Sequence, residues 1–77
     1  MAETEDFIQS EIDKISEKIK QLRKDSGYTS YETFAYDNEI NRVQYWRVEN
    51  GQNIILKTLL KILYIHKISV AEFFKSI

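Results

Sequence analysis

The chain has 77 residues, 43% of them hydrophobic and 30% charged, with 11 Lys/Arg against 12 Asp/Glu and a net charge of −1. A domain this small buries only about 60% of its unfolded surface, so one modest core is expected, with self-association as a natural supplement. The absence of cysteine and the single histidine exclude a disulfide framework and any metal site built on several Cys or His ligands.

The first element is a helix expected over Glu5–Lys24. Ile8, Ile12, Ile15, Ile19 and Leu22 fall at alternating spacings of four and three, which makes one apolar stripe. Acids fill the first turns and Lys18, Lys20, Arg23 and Lys24 the last, matching the helix dipole. Gly27 stops it. Ile15, Ile19 and Leu22 are expected in the core, whereas Phe7, Ile8 and Ile12 are left open as a dimer contact. The beginning, MAETEDFIQSEID, is acidic and without an apolar stretch, so it does not read as a signal peptide. The longest apolar run, Ile62 to Ile65, is far shorter than a bilayer requires. A soluble, cytoplasmic protein without membrane contact is expected.

A second helix should begin near Thr29, where Thr29 and Glu32 have capping-box spacing and Tyr28 precedes them as a staple residue. Phe34 and Ala35 point inward. The helix should end at Asp37 or Asn38, with Asn38 taking the left-handed conformation, because Glu39 stands where such turns favour glycine. A third helix starts at Asn41, again with a capping-box partner, Gln44. Ile40, Tyr45 and Val48 form its core side, while Arg42, Val43, Trp46 and Arg47 face elsewhere. Asn50-Gly51 closes it with a left-handed stop. Gln52 to Ile55 reads as a loop.

The fourth helix is expected over Leu56–His66, with Leu56, Leu59, Leu60 and Leu63 as the inner stripe and Ile62 beside it. Lys67 follows at a helix-end position where Gly or Asn would be less strained. A fifth helix begins at Ser69, with a Ser69–Glu72 capping box and an Ile68–Phe73 staple. Five helices with short connections and no strand pattern define an all-α fold with an extended first helix. The chain reads as one domain over 1–77, with an acidic helical extension at 1–17.

Residues 31–51 organise the rest. Two short helices meet across a tight turn, and the second carries Arg42, Gln44 and Arg47 on its polar side. That arrangement is a helix-turn-helix, in which a scaffold helix holds a second helix in the DNA major groove. Charge is distributed accordingly. Residues 1–17 hold six acids and one lysine, a balance of −5, whereas residues 18–77 hold ten Lys/Arg and six acids, a balance of +4.

From Ile19 onward the chain resembles the phage-repressor type of helix-turn-helix, the Cro/Xre-like regulators. The residues that carry the resemblance are Ile19, Leu22-Arg23, Ala35, Ile40-Asn41-Arg42, Val48-Glu49-Asn50-Gly51, Leu59-Leu60-Lys61 and Ile68 through Phe74. Glu39 in place of a turn glycine, one extra residue between Gly27 and Ala35, Val43 at a usually polar position and His66 at a usually apolar one depart from the pattern. The resemblance implies a five-helix phage-repressor-like domain that binds double-stranded DNA as a transcriptional regulator. It places Arg42, Val43, Gln44 and Arg47 at base-reading positions. Arg suits a guanine edge, Gln an adenine edge and Val a thymine methyl; Gln44 serves equally as a cap partner, and Val43 as a half-buried support. Tyr31, Asn41, Asn50 and Lys57 become phosphate contacts, with an ordinary solvated surface as the alternative. Arg23 and Glu49 correspond to an interior ion pair. Trp46 and His66 are expected to pack.

The serines have no His/Asp partner set, so no enzyme and no cofactor are expected. The functional expectation is a homodimeric regulator on a two-fold site. The alternatives are an antitoxin that also binds a toxin, or a protein-interaction module without DNA binding. The homodimer surface would draw on Ile54, Ile55, Tyr64, Ile65, Phe74 and Ile77.

Overall fold

The computed structural model describes residues 2–52 and 54–77. The described residues form five helices: α1 (Ala2–Asp25), α2 (Tyr31–Asp37), α3 (Arg42–Glu49), α4 (Leu56–Ile65) and α5 (Val70–Lys75). The fold is all-α. None of these helices is long and apolar enough to cross a membrane.

Helix α1 begins three residues earlier than its stripe suggests. Its 24 residues at about 1.5 Å each account for most of the molecule's 39 Å longest extent. Ile19 is fully buried, Ile15 and Leu22 lean on the core, and Phe7 and Ile8 stay exposed. The second half of the stripe therefore belongs to the core, and Ile12 ahead of it is half-buried. Gly27 ends the helix at φ +90.

Helix α2 is capped by Ser30, not Thr29: the Ser30 side chain accepts from Thr33 N–H at 3.3 Å. Residue three of the helix is thus Thr33, and no capping box forms. Two hydroxyl residues stand side by side here, and tertiary packing decides between them. The Tyr28 and Phe34 rings meet in a T-shape, with centroids 5.2 Å apart, and the Tyr28 hydroxyl donates to Asp37 Oδ2 at 2.8 Å.

The turn into α3 also differs from expectation. Asn38 keeps φ −104 and Glu39 takes the left-handed conformation, φ 56. The cause is the burial of Ile40, whose N–H reaches Ala35 O at 2.9 Å. That bond fixes where the chain must reverse. Lys61 Nζ, from α4, donates to the Glu39 carbonyl at 2.9 Å and holds the turn.

The core joins all five helices, with Ile19, Phe34, Tyr45, Val48, Ile62 and Phe73 as its most enclosed large side chains. The face of α4 is rotated from the expected one. Thr58, Leu59, Ile62 and Leu63 are buried, while Leu56 and Leu60 are exposed. Most residues of this helix are apolar, so periodicity alone does not choose a face; contact with α5 and with the shared core does. Of the expected dimer surface, Ile54 and Ile65 pack against the core, and Ile55, Tyr64, Phe74 and Ile77 are exposed. The loop before α4 includes Asn53, which lies outside the described residues. Lys67 is left-handed, φ 55, and Ser69 with Glu72 forms a complete capping box on α5.

Candidate nucleic-acid interface

Helices α2 and α3 pack on one another, and α3 packs also on α1. Tyr45 and Val48 anchor the inner side of α3. With those two positions fixed, helical spacing turns Arg42, Val43, Trp46 and Arg47 outward, and all four are exposed.

The N-terminal end of α3 is built by Asn41. Its Oδ1 accepts from Gln44 N–H at 3.0 Å, which satisfies one of the free amides of the first turn. The reciprocal half of the expected box does not form, so the half-buried Gln44 amide makes no side-chain hydrogen bond among the described residues. Asn41, Val43, Gln44 and Arg47 line a cleft of about 350 Å³, closed on its far side by Ile55 and Thr58. Val43, 48% exposed, borders this space with about half of its surface covered. Helix α4 opens at the same cleft without a side-chain cap, since Ile55 stands at its N-cap. Among the described residues the first-turn amides of α4 thus have no side-chain partner, a setting that attracts anions. Lys57 lies in that turn, exposed.

Arg42 is not free. Its Nη1 donates to Glu32 Oε2 at 3.2 Å, between two exposed side chains. One nitrogen is engaged, and the rest of the fork makes no hydrogen bond or ion pair among the described residues. A second, shallower recess lies beside Arg42, lined by Tyr31, Val43 and Trp46. It brings a phenol and an indole to the α2 side of the same face. Arg47 has no ion-pair partner among the described residues. Asn50, exposed, donates one Nδ2 hydrogen bond to Trp46 O at 2.8 Å and so finishes α3.

The C-terminal end of α3 is fixed by two contacts with α1. Arg23 and Glu49, both buried, form a bidentate pair, Nε to Oε2 at 2.7 Å and Nη2 to Oε1 at 3.0 Å. The third donor of the fork, Nη1, reaches Tyr28 O at 2.8 Å. The hydrogen bond to Glu49 raises the Arg23 pKa still further. Burial, then the Glu49 carboxylate, pushes the Tyr45 phenol upward, so it stays a neutral hydroxyl inside the core. Fourteen residues earlier on α1, Gln9 Nε2 donates to Gly51 O at 2.9 Å and to Asp13 Oδ1 at 2.8 Å. Gly51 is left-handed at φ +71, and a Cβ there would come within 2.7 Å of Asp13 Oδ1. The acidic extension therefore lies against the end of the outward-facing helix.

Four of the eight expected DNA-contacting residues, Asn41, Val43, Gln44 and Arg47, share one cleft; Arg42 and Tyr31 flank it, Lys57 stands in the first turn of α4, and Asn50 stands at the end of α3. Sequence reasoning missed Glu32, Gln9 and Thr58. Glu32 and Gln9 act across tertiary contacts that carry no periodic signal, and Thr58 is buried only because of the face that α4 turns inward. No family model, no curated protein and no solved structure matches the chain.

Proposed function

We propose that the chain is a sequence-specific binder of double-stranded DNA, a cytoplasmic transcriptional regulator of the helix-turn-helix type that acts as a homodimer on a two-fold-related site. The observation that carries this reading is the cleft at the start of α3. It brings together the Gln44 amide and the Arg47 guanidinium, neither of which makes a side-chain hydrogen bond among the described residues, and the apolar edge of Val43 on one helix face. These are an adenine-type partner, a guanine- or phosphate-type partner and a methyl contact. The Glu32-aimed Arg42 stands at its edge. The start of α4, which has no side-chain cap among the described residues, supplies a setting for a phosphate that would fix the register. In this reading the ion pair Arg23–Glu49 and the core residues Tyr45 and Val48 hold α3 rigidly, so the reading side chains are preorganised.

Selection from a random duplex library tests the reading. The wild-type chain should enrich one two-fold-related motif, and Arg42→Ala and Arg47→Ala should each relax it at distinct positions. Binding should weaken steeply with salt, as phosphate neutralisation requires. No binding to any duplex at low salt, or selection of the same site by both variants, would overturn it.

A further inference from the structure

Every residue from Ala2 to Ser10 is exposed. This helical arm nevertheless carries Phe7 and Ile8, 64% and 47% exposed, near the tip of a rod whose first 17 residues have a charge balance of −5. A second uncovered surface lies on α4. Leu56, Leu60 and Tyr64 follow one another every four residues, so they form one outer stripe, and their exposures are 67%, 42% and 83%. Lys57 and Lys61 border that stripe. Residues 56–77 hold four lysines and Glu72 as their one acid, a balance of +3.

We propose that these two surfaces are the halves of one interface between two copies of this chain, the acidic arm of each lying across the lysine-bordered α4 stripe of the other. Charge selects this pairing over its competitors. Arm against arm would oppose two strongly negative helices, and stripe against stripe would oppose two lysine rows, both unfavourable. Apolar side chains in both surfaces supply the burial, and opposite fringes supply the register.

The arm cannot cover the stripe of its own chain. Helix α1 is one continuous segment tied to the end of α3 at Gln9–Gly51 and again at Arg23–Glu49, so its beginning cannot fold back. A second copy can bring its stripe to the arm. A two-fold arrangement makes the contact twice and closes on itself. Doubling matters because a stable interface needs roughly 600–1,000 Å² from each partner, more than Phe7 and Ile8 offer once. The inference supplies the contact for the homodimer proposed above, but it is read without DNA, so either can fail while the other stands.

Sedimentation of the full chain at micromolar concentration and low salt is the first measurement, and a reversible dimer is expected. Glu5→Lys with Asp6→Lys should weaken association at least tenfold, and Lys57→Glu with Lys61→Glu should do the same. All four changes together should restore most of it. Because the chain lacks cysteine, a second test is free of background. Ile8→Cys and Leu60→Cys chains, mixed and oxidised, should cross-link to each other, while neither alone cross-links. A monomer at every concentration would overturn the proposal. So would failure of the four-fold variant to recover while its helical content is intact, or self-cross-linking of either single variant as fast as the mixture.

Discussion

The imidazole of His66 lies flat on the ring of Phe34, centroids 5.3 Å apart and planes 8° from parallel. Phe34 is fully enclosed, so the stack draws His66 partly into the core. Its Nε2 is buried without a hydrogen-bond partner among the described residues, and Nδ1 stands 3.4 Å from Ser26 Oγ.

Burial lowers the His66 pKa below its ordinary 6.5. The folded state then binds fewer protons than the unfolded state, so stability is complete above about pH 6.5 and declines as pH falls from there toward the lowered folded value. Thermal melts between pH 7.5 and 5 should fall less steeply for His66→Leu than for the wild type. Parallel curves would mean that the ring accepts its proton freely.

The pair Arg23–Glu49 governs stability more sharply. Removing one partner strands a buried charge, at a cost of about 3–5 kcal/mol, comparable with the whole stability of a small domain. Arg23→Ala and Glu49→Ala should each be largely unfolded at room temperature in urea titrations. The double change Arg23→Met with Glu49→Leu should lose less than either single one, because no charge is left uncompensated. A melting temperature unchanged by Arg23→Ala would sink this account of the pair.

Glu32→Gln separates aiming from attraction at Arg42. The variant removes an acid from the proposed DNA face, so overall affinity should rise several-fold, on the order of 1 kcal/mol or less for an exposed pair. The base preference set by Arg42 should broaden, since its fork is no longer held. Titrations against the selected site and its single-base variants measure both. Unchanged preference would show that Arg42 needs no help from Glu32.

Glu39→Gly tests the turn. A left-handed non-glycine residue costs about 1–2 kcal/mol, and glycine returns part of that through its freer unfolded chain. The variant should melt a few degrees higher while keeping the Lys61 bond, which is made to the backbone carbonyl. Glu39→Ala should show no such gain.

The helix count and most helix ends were legible because they rest on local chemistry. Asn41 and Ser69 cap as their spacing indicates, and Gly27 and Gly51 stop helices as glycine should. What was not legible depends on partners far along the chain. Neither the rotation of α4 that buries Thr58 and exposes Leu60 nor the choice of Ser30 over Thr29 leaves a periodic trace. Glu39, not Asn38, turns left-handed because Ile40 is buried beside it. Arg23 and Glu49 are 26 residues apart, and only the resemblance brought them together in the sequence. The clustering of Asn41, Val43, Gln44 and Arg47 was half-readable, since helical spacing gives the face but not the cleft wall that Ile55 and Thr58 add.

Helix α1 grips the end of α3 at two points that lie about 21 Å apart along its axis, Gln9 on Gly51 and Arg23 on Glu49. A rod held twice cannot pivot without moving what it holds. The arm and α3 therefore share one orientation, set by the same two contacts. The long first helix is thus a fixed outrigger, and its length sets how far from α3 that shared orientation is carried.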